Sequence, residues 1–483
     1  MAWRARLVWL ALCGCLVLAL SAGSSRADSA KLEDVIRHAL QGSLALRHAK
    51  NKIDTARGQL LEARSAFDWT ALAQTGWQRF YGPQVFSGRQ TGNATFIDAW
   101  RTTVGVSKQF RDGISVSPGV TTLLSPQLTS LQSLGYQEVL PTLNLTIPLL
   151  RGLGSDSTDA TERAAIARLR GTRLDYDYTS QETVHDAVQL FWRCLADAQQ
   201  RLVMLETDQQ QTDYERWLSN MISRGQLEPS ALQRAQAQHT LSNQKLDAAN
   251  EGVLICRRKL SDAVGLDAPR ILEPVGELPH PERYGPVIAR LQDAPLIAYA
   301  LDNRRDIKAL KAYIEAQRDR LTGAKDELNP KVDVVLDPYQ AFVRYSQSFS
   351  RSAAKGHVAE AMAAESDADI ALRQGEQAVR SDIVNAVRGL KELWRAWPTL
   401  VAAEGKYQRI IDQGEQRARQ GTITREELRL IEDEQASAKH ALIDARLRLA
   451  SILASLRLYT GSIALDGYTE ANIATEFATL PRP

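Results

Sequence analysis

The chain has 483 residues, with 59 Lys and Arg against 57 Asp and Glu and a formal net charge of +2. A balance this close to neutrality argues against a nucleic-acid partner. The length suggests two or three domains, yet Pro and Gly are too sparse over long stretches for turn-rich globular domains, and elongated helices account for that better.

Residues 1–27 carry Arg4 and Arg6, an apolar run from Leu7 to Leu20 and small residues ending at Ala27, the layout of a secretory signal cleaved after Ala27. The run is shorter than the roughly 17 to 25 residues of a membrane-spanning helix, so a removed leader is expected and not an anchor. Leu12-Cys13-Gly14-Cys15 partly resembles a lipidation site, but the apolar run continues past it. Loss of Arg4, Arg6 and Arg26 leaves the mature chain near neutral, with Cys194 and Cys256 as its cysteines in an oxidising compartment.

Residues 28–66 read as an N-terminal segment and a first short helix. Between Phe67 and Leu150 the apolar period becomes two: Trp69, Ala71, Ala73 and Trp77; Val104, Val106 and Phe110; Ile114, Val116 and Val120; Leu143, Leu145, Ile147 and Leu149. These are four expected strands with one greasy face. Arg111-Asp112-Gly113 marks a tight turn, whereas the connections near Tyr81 to Asp98 and Leu123 to Gln137 read as long and polar. Short turns at one end, long loops at the other, and Trp69, Trp77, Phe80, Tyr81, Trp100 and Tyr136 near strand ends suit a transmembrane barrel; a soluble sandwich is the alternative.

Residues 151–265 read as a long helical hairpin. Val184, Val188, Phe191, Leu195, Ala198, Leu202 and Leu205 fall at alternating steps of four and three, a coiled-coil seam that resumes after Pro229. An equatorial linker at 266–295, a helix at 296–327 and a shortened β segment at 328–349 follow. A second hairpin at 350–458 has a helix from about Ala361 to Gln420, interrupted at Trp397-Pro398, and its return from Arg425 to Leu458. A helix of about 60 residues is near 90 Å long at roughly 1.5 Å per residue, so a rod is expected. The tail at 459–483 is expected to wrap the waist or be disordered.

The two halves share one plan. Leu40 aligns with Leu301, Leu46 with Ile307, Ile53 with Ile314, Leu60 with Leu321 and Ala63 with Ala324. At the hairpin tips, RGQLEPSAL at Arg224 to Leu232 aligns without a gap with QGTITREEL at Gln420 to Leu428. Each has a glycine ending one helix, an apolar residue two later and a leucine opening the returning helix.

Here the chain resembles the TolC family of outer-membrane efflux proteins over roughly Ala30 to Tyr459. The specific pieces are the two Gly-x-apolar turns and the passage TIPLLRGLG at Thr146 to Gly154. The resemblance implies a mainly α fold with a transmembrane β part: a homotrimer with a shared β-barrel and a periplasmic coiled-coil tunnel constricted at the turns. It implies a passive duct at the outer membrane, in contact with membrane lipid, that docks onto a periplasmic adaptor linked to an inner-membrane transporter. On that basis the tips Gly225, Leu227, Leu232, Gly421, Ile423 and Leu428 are the candidate docking residues, and Glu426 and Glu427 narrow the pore. The chain departs from the family in offering four strands in its first half and only Val332 to Leu336 and Ala341 to Phe349 in its second. That departure implies that the second half has largely given up spanning the membrane.

No HExxH, CxxC or GxSxG string occurs and the histidines show no ligand-like pairing, so no catalytic, cofactor or metal residue is nominated. Gly152-Leu153-Gly154 reads as a hinge. Cys194 precedes and Cys256 follows Gly225 by the same interval, so in an antiparallel hairpin they stand at similar height, as a disulfide or as two small core residues. Glu426 and Glu427 also suit the first turn of a helix, where acids favour its dipole. Two other readings compete: a periplasmic adaptor, which needs one hairpin flanked by compact β domains, and a structural coiled-coil envelope protein without a pore.

Overall fold

A computed structural model describes residues 28–86, 89–125, 136–266, 270–420, 423–465, 469–477 and 479–481. The leader reading of 1–27 and the tip residue Gly421 lie outside the described residues. In chain order, β1 (Asp28–Ala30) leads to α1 (Leu32–Gly42) and α2 (Leu44–Ser65), then β2 (Thr70–Phe86), β3 (Arg89–Gln109), β4 (Ser115–Ser125) and β5 (Tyr136–Pro148). One turn, α3 (Ser155–Thr158), precedes the 64-residue α4 (Ala160–Ser223), and α5 (Pro229–Ala263) returns. Next come β6 (Leu272–Pro274), α6 (Gly285–Arg290), α7 (Asp293–Asn303), α8 (Arg305–Asp326), β7 (Lys331–Leu336) and β8 (Ala341–Ser346). The 68-residue α9 (Ser352–Arg419), α10 (Arg425–Thr460) and α11 (Glu470–Phe477) complete the chain.

Two compact units result. One comprises the described residues up to Lys50 with Asp175–Ile307 and Gly375–Pro483; the other comprises Asn51–Leu174 and Lys308–Gln374.

The second unit holds a six-stranded antiparallel sheet in the order β2-β3-β4-β5-β7-β8. Its register puts the apolar alternates on one face, since Trp77 is opposite Trp100, Ala73 opposite Val104, Val104 opposite Val120, and Val334 opposite Val343. The other face carries chiefly hydroxyl, amide and glycine positions, where the Thr103 and Thr121 hydroxyls pair at 3.0 Å. The connection from Tyr81 to Asp98, expected as a long polar loop, is instead ladder: β2 pairs with β3 up to Phe86 opposite Arg89, with a bulge between Pro83 and Gln84. Phe80, Tyr81, Phe86, Phe96 and Ile97 are strand formers, and pairing backbone to backbone outweighs the polar composition between them. Residues 126–135, within the other expected loop, lie outside the described residues.

Where the sheet gives way to helix, the Gly152 N–H donates to Asp326 Oδ2 at 2.7 Å and the Gly154 N–H to the Asp112 carbonyl at 3.1 Å. Beside this turn Glu162, at the start of α4, is 6% exposed and accepts from Arg111 at 2.7 Å and Arg64 at 3.0 Å.

In the first unit the heptad seam of α4, including Val188 and Phe191, packs with Leu260 of α5, Ala454 of α10 and Ile36 of α1 in one core. Each fully buried Leu, Ile or Phe there contributes roughly 1.5–3 kcal/mol relative to leaving it in water. The tail, expected to wrap the waist or be disordered, forms α11, whose Ile473 and Phe477 make an i, i+4 apolar stripe. The Phe477 ring stands edge-on to Trp192 at 6.5 Å, and Arg457 donates to Thr479 Oγ1 at 2.6 Å. The expected break at Trp397-Pro398 is absent: α9 runs through Pro398. Burial of Trp397, 6% exposed, and packing of the Trp394 ring against Gly285 hold the helix against the missing N–H.

Candidate functional site

Both tip turns belong to the first unit. In the first, Gly225 adopts φ +73°, its N–H bonds the Ile222 carbonyl at 2.9 Å, and the Gln226 N–H bonds the Met221 carbonyl at 3.0 Å. This is a Schellman closure, and its left-handed residue is the reason for a glycine there. Pro229 then starts α5 at its first turn, where no N–H is needed. In the second turn, Thr424 caps α10 by accepting from the Glu427 N–H at 3.1 Å.

Leu227 is 39% exposed, whereas Leu428 is fully buried against Gly414 and Ile423 is half-buried. Leu232 packs on the cluster of Tyr214, Leu218 and Ala235. The apolar tip residues therefore divide: Leu232 and Leu428 fasten helices together and Leu227 faces outward. Glu426 and Glu427 are both exposed in the first turn of α10, and Glu426 lies 3.9 Å from Arg234 across two surface side chains.

Sequence reasoning missed the groups that join α4 to α10 and α5. Arg429, 7% exposed, lies over the Tyr214 ring at 5.8 Å and donates to Asp433 at 2.7 Å. Tyr214 stacks on Trp217 at 6.0 Å, and burial, with Glu426 nearby, pushes its phenol up. His239 of α5 contacts Glu215 at 2.9 Å and Asp208 at 3.1 Å. Gln211, Arg429 and His440 line a polar groove of about 360 Å³, and burial holds the His440 imidazole below its usual range. The one sequence signal for these contacts is that Tyr214, Trp217 and Leu218 flank a single helical face; nothing in the sequence pairs them with Arg429.

Cys194 and Cys256 form a disulfide linking α4 and α5, with Cα atoms 5.5 Å apart. Among the described residues no group of three or more His, Cys, Asp or Glu side chains is placed to hold a metal ion, and no helix is long and apolar enough to cross a membrane. Large apolar side chains stand exposed on the sheet instead, among them Trp77 at 53%, Trp100 at 55%, Val104 at 55% and Leu143 at 47%. An exposed apolar face of this extent marks contact with a partner or a membrane.

No protein-family model matches the sequence, and no curated protein matches it. Solved structures do. The CmeC outer membrane channel of Campylobacter jejuni is 13% identical, with 93% of this chain and 90% of that chain covered and a TM-score of 0.63. The outer membrane protein VceC of Vibrio cholerae is 14% identical, with coverage of 89% and 96% and a TM-score of 0.63. The MtrE outer membrane channel of Neisseria gonorrhoeae, in its open state, is 14% identical, with coverage of 91% and 93% and a TM-score of 0.62. The chain thus has the fold of these outer-membrane channels along nearly its whole described length.

Proposed function

We propose that the protein is the outer-membrane channel of a tripartite efflux or type I secretion system. It acts as a passive trimeric duct that docks onto a periplasmic adaptor and draws its energy from an inner-membrane transporter. The observation that carries this reading is the exposed apolar face of the six-stranded sheet in a chain whose fold follows solved outer-membrane channels. Unpaired backbone in lipid costs several kcal/mol per group, so such a sheet must close on further strands, and copies of the same chain supply them. The plan of two repeats is supported by helix lengths: α1 and α7 have 11 residues each, and α2 and α8 have 22 each.

In this reading residues 67–150 cross the outer membrane, the hairpins at 151–265 and 350–458 form the periplasmic tunnel, and 266–295 lies at the waist. Leu227 and Ile423 meet the adaptor; Gly225 and Gly421 belong to the same docking tips, and Leu232 and Leu428 brace them. Glu426 and Glu427 from three copies ring the pore and favour cations. A partner that binds the splayed tips better than the closed ones opens the duct. No bond is made or broken, so no catalytic residue is required.

Single-channel recording of the purified protein in a planar bilayer tests this. Discrete conductance steps are expected, with cation preference weakened by E426Q and E427Q together. A bilayer that stays silent at all voltages contradicts the channel.

A further inference from the structure

The register of the sheet gives it a step. Leu336, the last residue of β7, is opposite Leu145 of β5; Leu145 is opposite Val116 of β4, and Val116 is opposite Lys108 of β3. Thr70, the first residue of β2, is opposite Ser107, the neighbour of Lys108. The β7–β8 hairpin therefore ends on the row where β2 begins. From that row β2 continues for 17 residues, whereas β8 has only 6, with Ala341 on the row and the other five on its far side.

Above the step, among the described residues, no strand lies beside β5 on the side away from β4, and the Tyr339 hydroxyl of the β7–β8 turn reaches it, donating to the Pro141 carbonyl at 3.4 Å. Its residues 136–144 pair with β4 on one side and, among the described residues, with no strand on the other, because β7 reaches only from Leu145 to Pro148. Among the described residues the sheet thus has two long edges with no neighbouring strand on the same rows, β2 at one side and residues 136–144 of β5 at the other. Three antiparallel steps separate them, so β5 runs opposite to β2 and can receive it as an antiparallel neighbour. The strand tilt of a barrel, roughly 35–45°, staggers neighbouring rows. That stagger amounts to a few residues, not the full length of β2.

We infer that β5 of one copy pairs directly with β2 of the next, over residues 136–144, so that the barrel seam is built entirely from the first half of the chain. The β7–β8 hairpin, although it ends the sheet, is not the strand that closes it. Four long strands per copy form the wall, and the hairpin stays at its lower margin. Both edges are satisfied by one kind of contact, repeated around the ring, and a second copy of this chain is the partner that carries the complementary edge.

This inference rests on the membrane reading above, and cysteine cross-linking separates the two. Cysteines introduced at Thr75 or Gln78 of β2 are combined with cysteines at Leu140 or Thr142 of β5; a second set combines Ala71→Cys or Ala73→Cys with Val343→Cys of β8. Cys194 and Cys256 are bonded to each other and stay silent, and Cys13 and Cys15 are replaced by serine in every variant. Full-length protein extracted from membranes is treated with a short bifunctional thiol reagent and resolved on a denaturing gel. The β5–β2 pairs are expected to give covalent dimers and trimers and the β8–β2 pairs none. A ladder from the β8–β2 pairs, alone or beside one from β5–β2, overturns the inference while leaving a membrane trimer in place. A soluble monomer that forms no ladder with either set overturns both.

Discussion

Glu162 anchors the base of the sheet through two arginines that arrive from separate elements, Arg111 in the β3–β4 turn and Arg64 at the end of α2. The Arg111 hydrogen bond, opposed by burial and aided by Arg64, holds the Glu162 carboxyl below its ordinary value of 4.5. A lowered folded-state pKa means that the stabilisation is complete above the unfolded value and is lost as pH falls through the folded one. E162Q is therefore expected to lower stability by about 2 kcal/mol at neutral pH. In thermal unfolding, the gap between E162Q and wild type should narrow as the pH is taken below 4.5; a gap independent of pH contradicts the charge-based account. The Cys194–Cys256 bond closes a segment of 62 residues, and its loss in C194A/C256A should cost about 2–5 kcal/mol. Peptide mapping without reductant should recover the two cysteines joined. The height of these cysteines was legible in the sequence because hairpin geometry relates positions about a turn. The partners of Glu162 were not, since no spacing rule links residues 64, 111 and 162.

At the scale of elements, periodicity revealed the long helices and the alternating strands, and it failed where tertiary packing overrode a local signal. Pro398 is the clearest case: a helix breaker by propensity, it sits inside α9 because Trp394 and Trp397, in the turn just before it, are packed. The prediction is specific to that packing. A Cβ at Gly285 would run into the Trp394 ring, whereas one at Gly356 of α9 meets nothing within 4 Å. G285A should lower stability by about 1–3 kcal/mol, while G356A should raise it by up to about 1 kcal/mol. Thermal melts in which both glycine replacements behave alike would remove the role assigned to Trp394. Two further elements escaped the sequence for different reasons. The outer part of the β2–β3 hairpin is polar between its aromatics, so composition suggested a loop, and α11 is too short at 8 residues for its period to stand out.

For the molecule as a whole, the long helical hairpins were legible in the apolar period of their helices, but the place of the second-half strands in the sheet was not. Alternation located β7 and β8 without showing that they end on the row where β2 starts; that follows from partners spread over six strands. The candidate tips were legible as turns, while the packing that divides Leu227 from Leu428 depends on neighbours distant in sequence. The claim on which the rest depends is that the apolar face of the sheet meets lipid. Fluorescence quenching by brominated phospholipid tests it directly, since Trp69, just before β2, and Trp77 and Trp100 on the sheet are 58%, 53% and 55% exposed. In vesicles containing brominated lipid the wild-type emission should be strongly quenched, and most of that quenching should vanish in W69F/W77F/W100F. Quenching that is absent in the wild type, or unchanged in the triple variant, would contradict the account.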